Sequence, residues 1–141
     1  AFALNQVASN DLGEEFKVSR LEYYVSQINL VHDGGIETVV PNTWILVNAT
    51  QNVSQLLGNF SITNLEAVKF GLGVENAVNH LDPSTYSILH PLGPKSPSRH
   101  WGWSAGYRFL ALEGKTGSSF NFGSDPGIIP ITFVSSSAPL P

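Results

Sequence analysis

From Phe16 to Val31 apolar and polar side chains alternate: Leu21, Tyr23 and Val25 fall on one face of an extended chain, and Tyr24, Ile28 and Leu30 on the other. Successive side chains of a strand point to opposite faces, so the pattern predicts one long strand that changes its buried face along the way. His32-Asp33-Gly34-Gly35 ends it with a positive-φ turn signature, Ile36 to Val40 is the return strand, and Pro41 breaks it. Further strands are expected near Phe2 and at Trp44 to Asn48, Phe60 to Asn64, Leu65 to Val74, Phe120 to Gly123 and Ile128 to Val134.

The most aromatic stretch, Arg99 to Gly114, also alternates. Trp101, Trp103, Ala105, Tyr107, Phe109 and Ala111 would share one face, and His100, Gly102, Ser104, Arg108 and Leu110 the other, unless Gly106 forms a bulge. The pattern predicts a buried core strand over Trp101 to Leu112. No window carries a helical stripe, and short strands at turn-marked intervals predict an all-β fold, an antiparallel β-sandwich of one domain. The domain is expected over 1–134, with a disordered tail at 135–141.

Composition narrows the function. The 141 residues carry 7 basic and 11 acidic side chains, a net charge of -4, so there is no basic stripe for nucleic acid or anionic lipid. There is no cysteine, which excludes disulfides and thiolate metal sites. No apolar run is long enough for a transmembrane helix. The chain opens at Ala1 and has no methionine, and a removed signal peptide or lipid-anchor segment is one expectation that accounts for this. No nucleophile elbow, phosphate loop or dinucleotide fingerprint is present, and no enzymatic activity is expected.

Asn76 to Arg99 differs in kind. It contains Pro83, Pro91, Pro94 and Pro97, and His80, His90 and His100 lie in or beside it. Loops of this length are more often functional than not. The three histidines can meet by folding alone, although their spacing matches no metal motif and exposed loop histidines are commonly just solvated. His32, beside a hairpin turn, is expected to face solvent. Asn48-Ala49-Thr50, Asn52-Val53-Ser54 and Asn59-Phe60-Ser61 are glycosylation sequons, some of which arise by chance in a chain rich in Asn and Ser.

Several stretches together resemble one family. They are Leu21-Glu22-Tyr23-Tyr24-Val25-Ser26, Trp44 to Asn48, Val68 to Val74 followed by Asn79, Leu81-Asp82-Pro83, Trp101-Gly102-Trp103-Ser104-Ala105-Gly106-Tyr107-Arg108-Phe109 and Leu112-Glu113-Gly114. Their order and spacing over residues 16–123 are similar to the MbnP-like family, named after a copper-binding protein of methanobactin operons. The resemblance implies a β-sandwich in the periplasm or at the cell surface. It also implies copper held by histidines with a tryptophan oxidised to kynurenine, and a di-haem partner enzyme of the peroxidase type that makes the modification. With no sulfur ligand in the chain, the grouping of His80, His90 and His100 around the proline-rich loop makes them the expected metal ligands, and the resemblance makes Trp101 and Trp103 the expected cofactor-forming positions. Trp101, nearer the loop, is the expected site of oxidation. Where relatives carry a histidine after the tryptophan run, this chain reads Phe120-Asn121-Phe122-Gly123. Two functions follow as expectations: an exported copper-binding protein for sequestration or delivery, or a metal-free cell-surface module that binds glycan or protein.

Overall fold

The computed structural model describes residues 3–116 and the backbone of 131–132. Its strands run in chain order as β1 (Val7–Ser9), β2 (Glu15–His32), β3 (Ile36–Val39), β4 (Ile45–Asn48), β5 (Leu65–Leu72), β6 (Leu110–Thr116) and β7 (Ile131–Thr132). A short helix, α1 (Asn76–Asn79), and a 3-10 turn at Pro83–Thr85 lie between β5 and β6. The fold is all-β and antiparallel, as the alternation predicts. The strands join into one sheet that is not closed among the described residues, and the pairing does not establish the two-sheet packing of a sandwich. The calls at Phe2, at Phe120 to Gly123 and for the tail 135–141 lie outside the described residues.

β2 is the spine. Phe16 pairs with both Ala8 and Thr116, Glu22 with Asn48 and Ala111, Val25 with Ile45 and Leu72, and Asn29 with Val39 and Lys69. One edge of β2 therefore carries β1, β4 and β3 in succession, and the other carries β6 and then β5. An 18-residue strand can serve so many partners because each needs only a few residues of its length.

β2 does serve both sides of the sheet, but through a bulge at Gln27 and not through the predicted alternation: Ile28 and Leu30, expected on the face of Tyr24, lie on that of Val25. Gln27 takes φ 52°, and the register with β5 shifts between Ser26 and Asn29. Ahead of it Tyr24 is buried in a cluster with Val74, Leu92 and Tyr107, against which Trp44, Leu46, Tyr86 and Phe109 pack. Beyond it Ile28 and Leu30 cluster with Val40, joined by Val25, Ile45, Leu57, Phe60 and Ile62. One residue of bulge moves the even positions from one side of the sheet to the other, and the strand serves two small cores. Each large side chain so buried contributes about 1.5–3 kcal/mol.

The proline-rich segment is not a structureless loop. Val78, Tyr86 and Leu92 pack on the Tyr24 cluster. The Tyr24 hydroxyl donates to the Pro91 carbonyl at 3.0 Å and the Tyr107 hydroxyl to the Leu92 carbonyl at 2.6 Å. Phe60 to Asn64 is not a strand either, although Phe60 and Ile62 do pack into the second cluster.

The tryptophan run departs most from expectation. A strand begins only at Leu110, and residues 100–107 form a tight hairpin loop. The Trp101 amide donates to the Gly106 carbonyl and the Gly106 amide to the Gly102 carbonyl, both at 2.9 Å, while His100 pairs with Tyr107 in a single antiparallel bridge. Gly102 (φ 91°) and Gly106 (φ 71°) supply the left-handed backbone that turns the chain. Tyr107 and Ala111 are buried, but Trp101 and Trp103 stand 47% and 65% exposed, so the expected buried strand over Trp101 to Leu112 is corrected to a hairpin followed by β6.

Candidate metal centre

The short helix α1 ends at His80, whose ring projects from the surface toward the tryptophan hairpin. His80 Nδ1 lies 2.8 Å from the Trp103 carbonyl oxygen. A carbonyl only accepts, so Nδ1 carries the proton and the lone pair is on Nε2. Asn79 Nδ2 stands 3.4 Å from that nitrogen, a weak contact. A histidine fixed through Nδ1–H on a backbone carbonyl is oriented as metal-binding histidines commonly are.

His100 lies beside it. The Gly102 amide donates to His100 Nδ1 at 3.2 Å, which places the proton of the neutral ring on Nε2. Nε2 is buried and makes no well-aligned hydrogen bond among the described residues, although the Asn79 backbone lies close to the ring. The ring meets Tyr107 edge-on at 4.9 Å and Trp103 at 6.4 Å. Burial holds the His100 pKa below the ordinary value; the Asn79 backbone and the Asp82 carboxylate oppose that shift, and His80 adds to it. His80, Asp82, His100 and Trp103 thus form one neighbourhood. Asp82 accepts the Ser84 amide at 2.8 Å and starts the 3-10 turn that follows.

His90 lies elsewhere. Its ring stacks on Tyr86 at 4.7 Å and tilts against Trp44 at 5.7 Å, and Nδ1 accepts the Leu92 amide at 3.1 Å. Burial, then the nearby Lys95 ammonium, lowers its pKa. Of the three expected ligands, His80 and His100 both lie against Trp103, one at its carbonyl and the other at its ring, whereas His90 has a packing role. His32 faces inward rather than to solvent. It occupies the last buried position of β2, flanked by β3 and β5, and its ring nitrogens meet Asp33 Oδ2 at 3.0 Å and Thr38 Oγ1 at 2.8 Å.

Copper accepts imidazole readily, and the donors present fit it in part. His80 offers Nε2 directly, whereas His100 must move its proton to Nδ1 and give up the Gly102 contact before its Nε2 can ligate. Among the described residues no three His, Cys, Asp or Glu side chains form a ready metal cluster.

Trp101 and Trp103 differ in their surroundings. The Arg108 guanidinium lies 4.3 Å from the centre of the Trp101 ring, whereas Trp103 has His100 at its edge. Asn79 is the residue whose role is least visible from patterning. Its Oδ1 accepts the Tyr107 amide at 2.8 Å, joining α1 to the base of the hairpin. Its place in the quoted family stretch is the one sequence signal that marks it. Asn48, in the first sequon, is engaged on both sides: Nδ2 donates to Glu22 and Oδ1 accepts from the Thr50 amide and hydroxyl.

No curated protein and no solved structure matches the chain. The family model described as MbnP matches residues 1–130. With nearly the whole length covered, including every stretch that forms the two cores and the histidine neighbourhood, the chain belongs to the MbnP family.

Proposed function

We propose that this chain is an exported, periplasmic or cell-surface copper-binding protein that sequesters or delivers the metal and performs no catalysis of its own. The observation that carries the reading is the fixed ring of His80, with its Nε2 lone pair available beside His100; family membership supplies the reason to name copper. Copper is cargo in this reading. His80 and His100 are its ligands, and an oxidised Trp103 would supply a further nitrogen. His90 is left out because its ring is committed to Tyr86, Trp44 and the Leu92 amide. The exposed indoles suit modification by an external oxidising enzyme, for which a di-haem peroxidase is the partner we propose.

Metal analysis and copper titration of untagged protein test this. His80→Ala and His100→Ala should each weaken binding by more than about tenfold, the scale that even outer-shell partners reach. His90→Ala should leave it unchanged. A double His80→Ala/His100→Ala variant that binds like the parent would overturn the assignment. A second reading, a metal-free module that binds glycan or protein, draws on Trp101, Trp103 and Leu81, all exposed. A parent protein that takes up no copper but shows shifted indole resonances with soluble oligosaccharides would favour it.

A further inference from the structure

All three arginines of the chain, Arg20, Arg99 and Arg108, belong to one connected set of charges. Arg99 pairs with Glu22 through its Nη2. Glu22 Oε2 also accepts from Arg20 Nε at 3.0 Å and Nη2 at 2.8 Å. Arg20 Nη1 reaches Glu113 Oε1 at 2.8 Å, and Arg108 Nη1 reaches the same oxygen at 2.9 Å. The order is therefore Arg99, Glu22, Arg20, Glu113, Arg108, with signs alternating throughout.

The two ends of this series sit opposite one another. The Arg108 amide donates to the Arg99 carbonyl at 2.7 Å, so Arg99 and Arg108 are the paired residues at the base of the hairpin that carries His100, Trp101 and Trp103. The middle members belong to the sheet. Arg20 and Glu22 share a face of β2, and Glu113 is the cross-strand neighbour of Arg20 on β6. Arg20 bridges the two carboxylates with different sides of one planar guanidinium, a geometry that a lysine ammonium does not reproduce. The side chains of Arg99 and Glu22 are 8% and 9% exposed, so loss of one link leaves charge stranded away from water. Beyond the ion pairs, the hairpin is held by the Asn79 bond to Tyr107, by Tyr107 itself and by the His80 ring at the Trp103 carbonyl.

We propose that this alternating series is a clamp that holds the tryptophan hairpin against the sheet, and that Arg20, which touches neither His100 nor either indole, is the residue that positions them. The clamp closes a ring: up one hairpin strand at Arg99, across β2 and β6, and back at Arg108, whose guanidinium also covers Trp101. The proposal goes beyond the copper reading and stands without any metal.

Amide hydrogen exchange of the metal-free protein tests it, because local opening of the hairpin is read residue by residue. In Arg20→Lys, which keeps the charge but loses the bridge, exchange at the Trp101, Gly106 and Arg108 amides should rise by about tenfold or more. The Val40 and Gly73 amides, bonded to the Ile28 and Tyr24 carbonyls, should not change. Glu113→Gln, at the more exposed end of the clamp, should give the same hairpin-limited effect and serves if Arg20→Lys does not fold. Unchanged exchange at the hairpin in a folded variant, or an equal rise at Val40 and Gly73, would overturn the clamp. Neither result would bear on whether His80 and His100 bind copper.

Discussion

Gly106 is where a single methyl group should do most damage. Its φ of 71° is left-handed, and a Cβ built there would lie 2.5 Å from Asn79 Nδ2 and 2.6 Å from Asn79 Cγ and the Asn79 carbonyl oxygen. Gly102 is the natural control: its φ is 91°, but a Cβ there would meet nothing within 4 Å. Gly102→Ala should therefore cost only the backbone strain of an L-residue, about 1–2 kcal/mol. Gly106→Ala carries that strain, adds about 1–3 kcal/mol for overpacking, and displaces the Asn79 side chain that accepts the buried Tyr107 amide, roughly another 1–3 kcal/mol. The total, on the order of 3–8 kcal/mol, is a large share of a domain's stability of about 5–15 kcal/mol. Thermal or urea denaturation of both variants measures the difference. With about 3–5 °C lost per kcal/mol for a domain of this size, Gly106→Ala should melt on the order of 10 °C or more below Gly102→Ala. Equal losses in the two variants would refute the close packing of α1 against the hairpin, and with it the link between Asn79 and the histidine neighbourhood.

Two further outcomes follow from the same geometry. Burial lowers the pKa of His90 and His100, so the unfolded chain takes up protons before the folded one does; stability is fully present above the ordinary histidine pKa and is lost as pH falls through the folded values. The urea midpoint should accordingly fall from about pH 7.5 to about pH 5, a window above the carboxylate range, and a midpoint that rises instead would contradict the burial of these rings. Because the Arg108 cation opposes the positive charge left by one-electron oxidation of Trp101, a soluble one-electron oxidant should modify Trp103 first. A contact worth about 0.5–1 kcal/mol corresponds to a roughly two- to fivefold preference, which peptide mass mapping reads; Arg108→Gln should erase it, and preferential oxidation of Trp101 in the parent would return the choice to that residue.

Much of the architecture was legible because it is local. Alternation from Phe16 to Val31 announces β2, since the period of a strand is fixed by backbone geometry alone, but the bulge at Gln27 that carries Ile28 and Leu30 to the side of Val25 leaves no mark in that alternation. The Asp33-Gly34-Gly35 turn and the return strand follow from the positive φ values that only such residues adopt readily. Glycine spacing in the tryptophan run was legible as well, but ambiguous. The same letters describe a buried strand or a hairpin, and the outcome depended on whether Gly102 and Gly106 adopted left-handed backbone. Asn79 tips the balance from a distant helix, by accepting the Tyr107 amide and filling the space above Gly106.

Sequence by itself determined the all-β class, the long central strand, the absence of sulfur ligands and the family, because each rests on composition, period or an ordered set of short motifs. Only the tertiary structure decided which histidines are neighbours. His80, His90 and His100 are evenly spaced along one segment, yet the Tyr86 ring takes His90 into a stack while the hairpin brings His100 to His80. It also decided that Arg20, Arg99 and Arg108 act together, since the pairing of β2 with β6 and of Arg99 with Arg108 joins residues up to 93 positions apart. Contacts of that range depend on strand register and on which face each side chain occupies, and these are settled by packing rather than by any local preference of the chain.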